Sequence, residues 1–331
     1  MFSIISRKVL CALAMLGLAS VASATPLITV EYDPTVAFSS ADKAAIQSAL
    51  DFYTSNMSSN FSLTVAFGAQ TGGGASSQWY AVSGSYAGYY NALVTNSSGN
   101  ATDTSAIASL GGPSANNPVT GSQDIVLPVT LASDLGLVAQ YSTSFSSCDS
   151  LTANACITLN TTLLNTSGSP PSGLEGIVQH EIDEVLGTAS ALPNGGGTVP
   201  ANPMAADLYR YSAPGTRSFA LNTSTSVPCT GSPTAYFSVN GGVSSPAGAT
   251  YNNCNNGGDY GDWIDTNGQY VQDAYGSYSQ TVTLNLNSPE VTVLDAVGYN
   301  FQPSPVPEPS TSIFLLTGLG VTFLWRVRWR G

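Results

Sequence analysis

The stretch that most restricts the fold is GLEGIVQHEIDEVLGT, residues 173–188. Leu174, Val178, Ile182, Val185 and Leu186 recur at helical spacing and fall on one side at about 100° per residue. Pro170 and Pro171 stop whatever precedes. Ser172 and Glu175 fit an S-x-x-E capping box, and Gly187 stands where a left-handed C-cap is needed. The pattern predicts an amphipathic helix whose apolar side must be covered by other elements. Its opposite side carries His180, the only histidine in the chain, and Glu184 one turn later.

Other segments supply that cover. LITVEYD alternates as a strand. SSADKAAIQSALDFYTSNM reads as a helix capped by Ser39 or Ser40, with Ile46, Ala49, Leu50, Tyr53 and Met57 on one face. FSLTVAF alternates again, with Phe61, Leu63, Val65 and Phe67 on one side. YAGYYNALV and DTSAIASL read as short helices, and DIVLPVTL and CITLNTT as strands. Beyond Thr188 the chain is rich in loops, with strand candidates SFALNTST, AYFSVNGG and QTVTLNL. SPEVTVLDAVGY closes the body as a helix with Pro at its first position. The order predicts an α+β fold, a mixed sheet with packed helices and a loop-rich C-terminal part.

Both ends read as delivery signals. Arg7 and Lys8 precede an apolar run that ends in Ala22-Ser23-Ala24, the layout of a signal peptide over 1–24. From 303 to 331 a Pro-rich linker, an apolar segment and the basic RVRWRG follow, a stop-transfer pattern that implies transient membrane association. One large domain, 25–302, lies between. Of the 8 Lys and Arg residues, only Lys43, Arg210 and Arg217 fall within it, against nearly all of the 20 acids. Such a body repels nucleic acid and anionic lipid, which excludes both as its partners. Cys148, Cys156, Cys229 and Cys254 remain after the leader; in an exported chain they predict two disulfides. The short-loop pairing, Cys148–Cys156 with Cys229–Cys254, is preferred over the other two connectivities.

The helix also carries chemistry. Donors at i and i+4 point at one ion from a single turn, and the residue at i+1 leans into the same cleft, the geometry of H-E-x-x-H. Here the second position holds Glu, whose oxygen binds zinc at about the distance that imidazole nitrogen does. Carboxylates make such a site less selective for zinc against harder ions. DYGDWIDTNG adds further acids and reads as a turn-rich loop able to take calcium, without the full EF-hand spacing.

VQHEIDEVLG resembles the H-E-I-x-E-V-(L/M)-G helix of a group of bacterial PEP-CTERM metalloproteases of the zincin type. ADLYRYSAPGTRSF, GGDYGDW and VTVLDAVGY are similar to that group's later segments. The tail, with Val306-Pro307-Glu308-Pro309 before its apolar run, resembles the sorting signal that an exosortase removes. The resemblance implies a zincin-like fold, export to the cell envelope or beyond, a polypeptide substrate, and zinc held by His180 and Glu184 with Glu181 as general base. It puts the third ligand at Asp207, in the matched segment, with Asp259, Asp262 and Asp265 as competitors. Arg210 and Tyr211 beside Asp207 are candidates to support the site or bind substrate. The implied activity is that of a secreted endopeptidase using a metal-activated water. A non-catalytic envelope or biofilm-matrix protein on the same frame is the alternative, because no second histidine is present.

Overall fold

The computed structural model describes residues 25–139, 142–164, 173–193, 197–264, 269–275 and 281–301. The segments read as a signal peptide and a C-terminal sorting signal, with Ser172 and Asp265, lie outside the described residues. The fold is α+β.

The chain opens with β1 (Leu27–Tyr32), α1 (Ser40–Asn56) and β2 (Ser62–Gln70). Ser39 caps α1 through a reciprocal pair with Asp42. β3 (Ala75–Trp79) and β4 (Ala81–Ser85) lead to α2 (Tyr86–Asn96) and α3 (Ala101–Ser109). Then come β5 (Asp124–Pro128), α4 (Val129–Asp134), β6 (Thr143–Phe145), β7 (Leu151–Ala153) and β8 (Ala155–Asn160). α5 (Leu174–Leu186) is the sequence-predicted helix. After it follow β9 (Arg210–Ala213), β10 (Thr216–Arg217), β11 (Tyr236–Phe237) and α6 (Pro289–Val297).

The main sheet has the order β1–β2–β8–β3. β1, β2 and β8 run parallel, while β3 is antiparallel to β8 and forms an edge. α5 packs on α1 and on β3. Val178, Ile182, Val185 and Leu186 are fully buried with Ile46, Leu50 and Tyr53 of α1. The Tyr53 hydroxyl fastens the two helices, sharing its one proton between Asp183 Oδ1 (2.8 Å) and the Gln179 carbonyl (3.0 Å). Gly176 is required on the other flank, where a Cβ would run into the Val282 carbonyl.

Several expectations change. DIVLPVTL is one strand only as far as Pro128; that proline is the N-cap of α4, whose Val129, Leu131 and Ala132 are buried. SFALNTST forms no strand, AYFSVNGG forms only the two residues of β11, and 281–286 of QTVTLNL form none. These polar stretches find no long partner in the loop-rich half. Polar ASSQW, by contrast, is drawn into β3 by its pairing with β8. α5 begins after Gly173 without a side-chain cap bond, and Gly187 closes it at φ 141°.

Disulfides join Cys148 to Cys156 and Cys229 to Cys254, the short-loop pairing. They fit an oxidising, exported environment. Among the described residues no helix is long and apolar enough to cross a membrane.

Candidate metal centre

α5 turns its polar side toward a cleft of about 620 Å³, bounded by β3, α5 and the chain at 257–262 and 270–275. His180, Glu181 and Glu184 all line it. The apolar stripe fixes this orientation, because rotating the helix would expose Val178 and Ile182 and bury three ionisable groups against the sheet.

His180, Glu184 and Asp262 each offer one donor atom, and these atoms lie within 4.8 Å of one another. Zinc–ligand bonds of about 2.0–2.2 Å put donors at most about 4.4 Å apart, so this group needs little closing to hold an ion. His180 Nε2 stands 3.7 Å from Asp262 Oδ1. On the far side of the ring, Nδ1 lies 2.9 Å from the Val271 carbonyl. A carbonyl can only accept, so Nδ1 carries a proton, and Nε2 is the nitrogen that could meet an ion on losing its own. Ser77 of β3 donates to Glu184 Oε2, and Gln272 Nε2 donates to Asp262 Oδ1 at 2.9 Å. Each donor is therefore aimed by a further bond, and the set of one nitrogen and two oxygens suits a divalent ion.

Without an ion, the surrounding acids hold His180 as an imidazolium, and a bound cation would displace its Nε2 proton. Burial opposes charge on His180, but Asp262, Glu181 and Asp259 override it and raise the imidazole to about 9. Burial drives Glu181 up to about 7, with His180 pulling it down and Asp259 pushing it up. Burial, then Glu181, Asp262 and Asp259, push Glu184 well above its ordinary value. Asp262 is raised to about 7, again mainly by burial. One imidazole does not neutralise this many buried acids, and a divalent cation would.

Glu181 is not one of the three donors, although Ser77 and Glu184 lie within hydrogen-bonding reach of its carboxylate. Its side chain is only 5% exposed, and Oε2 has no hydrogen-bond partner among the described residues. A carboxylate oxygen left bare in a buried position is costly unless something else meets it there.

Asp207 is not brought to this group. Its carboxylate accepts from Ser190 Oγ (2.6 Å) and from the N–H groups of Ala191 (2.9 Å) and Met204 (3.0 Å), with Arg210 Nε at 4.0 Å. Those donors use the lone pairs an ion would need, and Asp262 stands where Asp207 was expected. Asp259 lines the cleft without joining the donor group. Arg210 is 1% exposed and lies over the Tyr251 ring, its centre 4.1 Å away. Its Nη1 donates to the Tyr260 carbonyl and its Nη2 to Asn253 Oδ1. It has no surface for a substrate carboxylate; it braces the chain two residues before Asp262. Tyr211 is buried beneath Arg217 and does not line the cleft.

Ser77, Val271 and Gln272 escaped the sequence reading. Ser77 sits in a strand too polar to be recognised, and Val271 acts through its backbone, which no residue type announces. Comparisons with protein-family models, with curated proteins and with solved structures found no match to this chain.

Proposed function

We propose that the protein is an exported, zinc-dependent endopeptidase of the zincin type. The observation that carries this reading is the bare Oε2 of Glu181, buried in the same cleft as a ready-made His–Glu–Asp donor group. A structural ion site has no use for a carboxylate with one bare oxygen beside its ligands, whereas a hydrolytic one needs a base there. Three protein donors with a position left for water or substrate is the pattern of a catalytic zinc site.

Within this reading His180, Glu184 and Asp262 hold the ion. The ion, when bound, polarises a substrate carbonyl and acidifies water. Glu181 takes a proton from the attacking water through its free oxygen and returns it to the leaving amine. β3 supports a polypeptide substrate: its Ala75, Ser76 and Ser77 border the cleft, and an edge strand accepts an extended chain. Zinc fits the imidazole, while two carboxylates leave room for a harder ion.

The test is elemental analysis of protein made without a polyhistidine tag, joined to a cleavage assay on an unfolded protein. One equivalent of transition metal and chelator-sensitive cleavage are expected in the wild type. His180→Ala and Asp262→Ala should lose both. Full metal content in either variant would remove that residue from the centre.

The C-terminal segment is proposed as an exosortase-processed sorting signal. Mass spectrometry of protein from an exosortase-containing host should show a C-terminus near Pro309, and intact protein ending at Gly331 would contradict it.

A further inference from the structure

Asp262 and Val271 act on His180 from two separate segments of the chain, Asp262 as neighbouring donor and Val271 as acceptor of the Nδ1 proton. The residue after each of them reaches a single atom. Trp263 Nε1 and the Gln272 N–H both donate to Glu290 Oε1, each at 3.0 Å. Gln272 then reaches back to Asp262 Oδ1, and the Trp263 N–H meets the Gln272 carbonyl at 2.8 Å.

Glu290 lies in the first turn of α6 with no exposed surface, and its Oε2 has no partner among the described residues. An apolar side chain would be far cheaper to bury there. What an apolar side chain cannot do is accept from an indole and a backbone amide at once and so fix the distance between the two segments.

We infer that Glu290 is a positioning residue of the metal centre: through Trp263 it sets Asp262, and through Gln272 it sets both Asp262 and the carbonyl that orients His180. The inference rests on the reading of His180, Glu184 and Asp262 as ligands. Glu290 touches neither ion nor substrate. Its influence passes through the bonds that aim two of the three donors, and losing such outer partners typically weakens metal binding by about 10- to 100-fold.

The test titrates zinc into the intact, untagged protein with a competing chelator, for wild type, Glu290→Ala and Glu290→Gln. Glu290→Ala should bind zinc at least about 10-fold more weakly. Glu290→Gln keeps an acceptor oxygen in the same place and should stay within about threefold of wild type, well short of that loss. Asp103→Ala serves as the control for mere destabilisation. Asp103 is 2% exposed, accepts from Ser97, Ser98 and Gly99, and does not line the cleft, so its loss should lower stability and leave zinc affinity alone. If Glu290→Ala does not fold, Trp263→Phe removes one of the two donors while keeping a ring in the core, and it should weaken zinc binding in the same direction.

A second readout needs no metal. The chain holds one histidine, so the nitrogen-15 signals of its imidazole are unambiguous. Metal-free wild type and Glu290→Gln should show a slowly exchanging Nδ1 proton, and Glu290→Ala a fast one. Wild-type zinc affinity in Glu290→Ala, an equal loss in Asp103→Ala, or an unchanged imidazole signal would each overturn the inference. A wild type that binds no zinc but loses its protected Nδ1 proton in Glu290→Ala would instead sink the metal reading and leave Glu290 as the residue that orients His180.

Discussion

Glu181→Gln is expected to lower peptide hydrolysis by about 10²–10⁴-fold, the usual worth of a general base, with metal content unchanged. The substitution keeps shape and volume and removes only the ability to accept and return a proton. The residue lies outside the His180–Glu184–Asp262 donor group, so the centre should load as before. Its Oε2 has no partner among the described residues, so no protein hydrogen bond to that atom is broken. The fall should therefore appear in kcat, with KM nearly unchanged, and thermal stability should not drop. A variant as fast as wild type would put hydrolysis at another site. A wild type that binds zinc and cleaves nothing would favour the non-catalytic envelope protein.

Arg210→Ala is expected to destabilise the fold by about 3–5 kcal/mol, the effect of stripping one partner from a buried ion pair. The Tyr260 carbonyl and Asn253 Oδ1 lose their donor, and the Asp207 carboxylate loses its countercharge. A cavity also opens against the Tyr251 ring. Asp207→Asn should cost less, about 1–3 kcal/mol, because its remaining oxygen still accepts while its new amide meets backbone N–H groups. The double variant should fall short of the sum, since each single change already breaks the pair. Urea denaturation of the four proteins measures all three quantities. A loss under about 1 kcal/mol for Arg210→Ala would class the pair with exposed salt bridges.

The sequence made the helix legible because a period of 3.6 can be read without knowing what covers it. His180, Glu181 and Glu184 needed only that period to be set on one side. The third donor had no such guide. Asp207 lies in a single 3₁₀ turn and Asp262 in a loop bend, where the tertiary path alone decides which carboxylate meets the imidazole. Arg210 was noticed through the scarcity of basic residues, yet its role depends on the backbone of Tyr260, which composition does not encode. Glu290 had an innocent explanation as an acid in the first turn of a helix, where the macrodipole favours it; burial, invisible in sequence, gives it another. β3 was missed because Ser76, Ser77 and Gln78 carry little strand propensity, and pairing with β8 overrides that preference.

The wide separation along the chain between α5 and the loop bearing Asp262 has a consequence in time. Synthesis delivers His180 and Glu184 early, and with them only a two-point chelator. The third arm arrives much later, and its anchor on α6 later still. If the proposed centre holds an ion, its capture would be the closing event of maturation, completed where the disulfides form, and that compartment's ion supply would decide what is loaded. Departure follows the reverse order. Local opening at Asp262 and Val271 would free such an ion while the helix and sheet beneath stay intact, so the speed at which a chelator empties the protein would be a clock for that opening and not for unfolding of the whole.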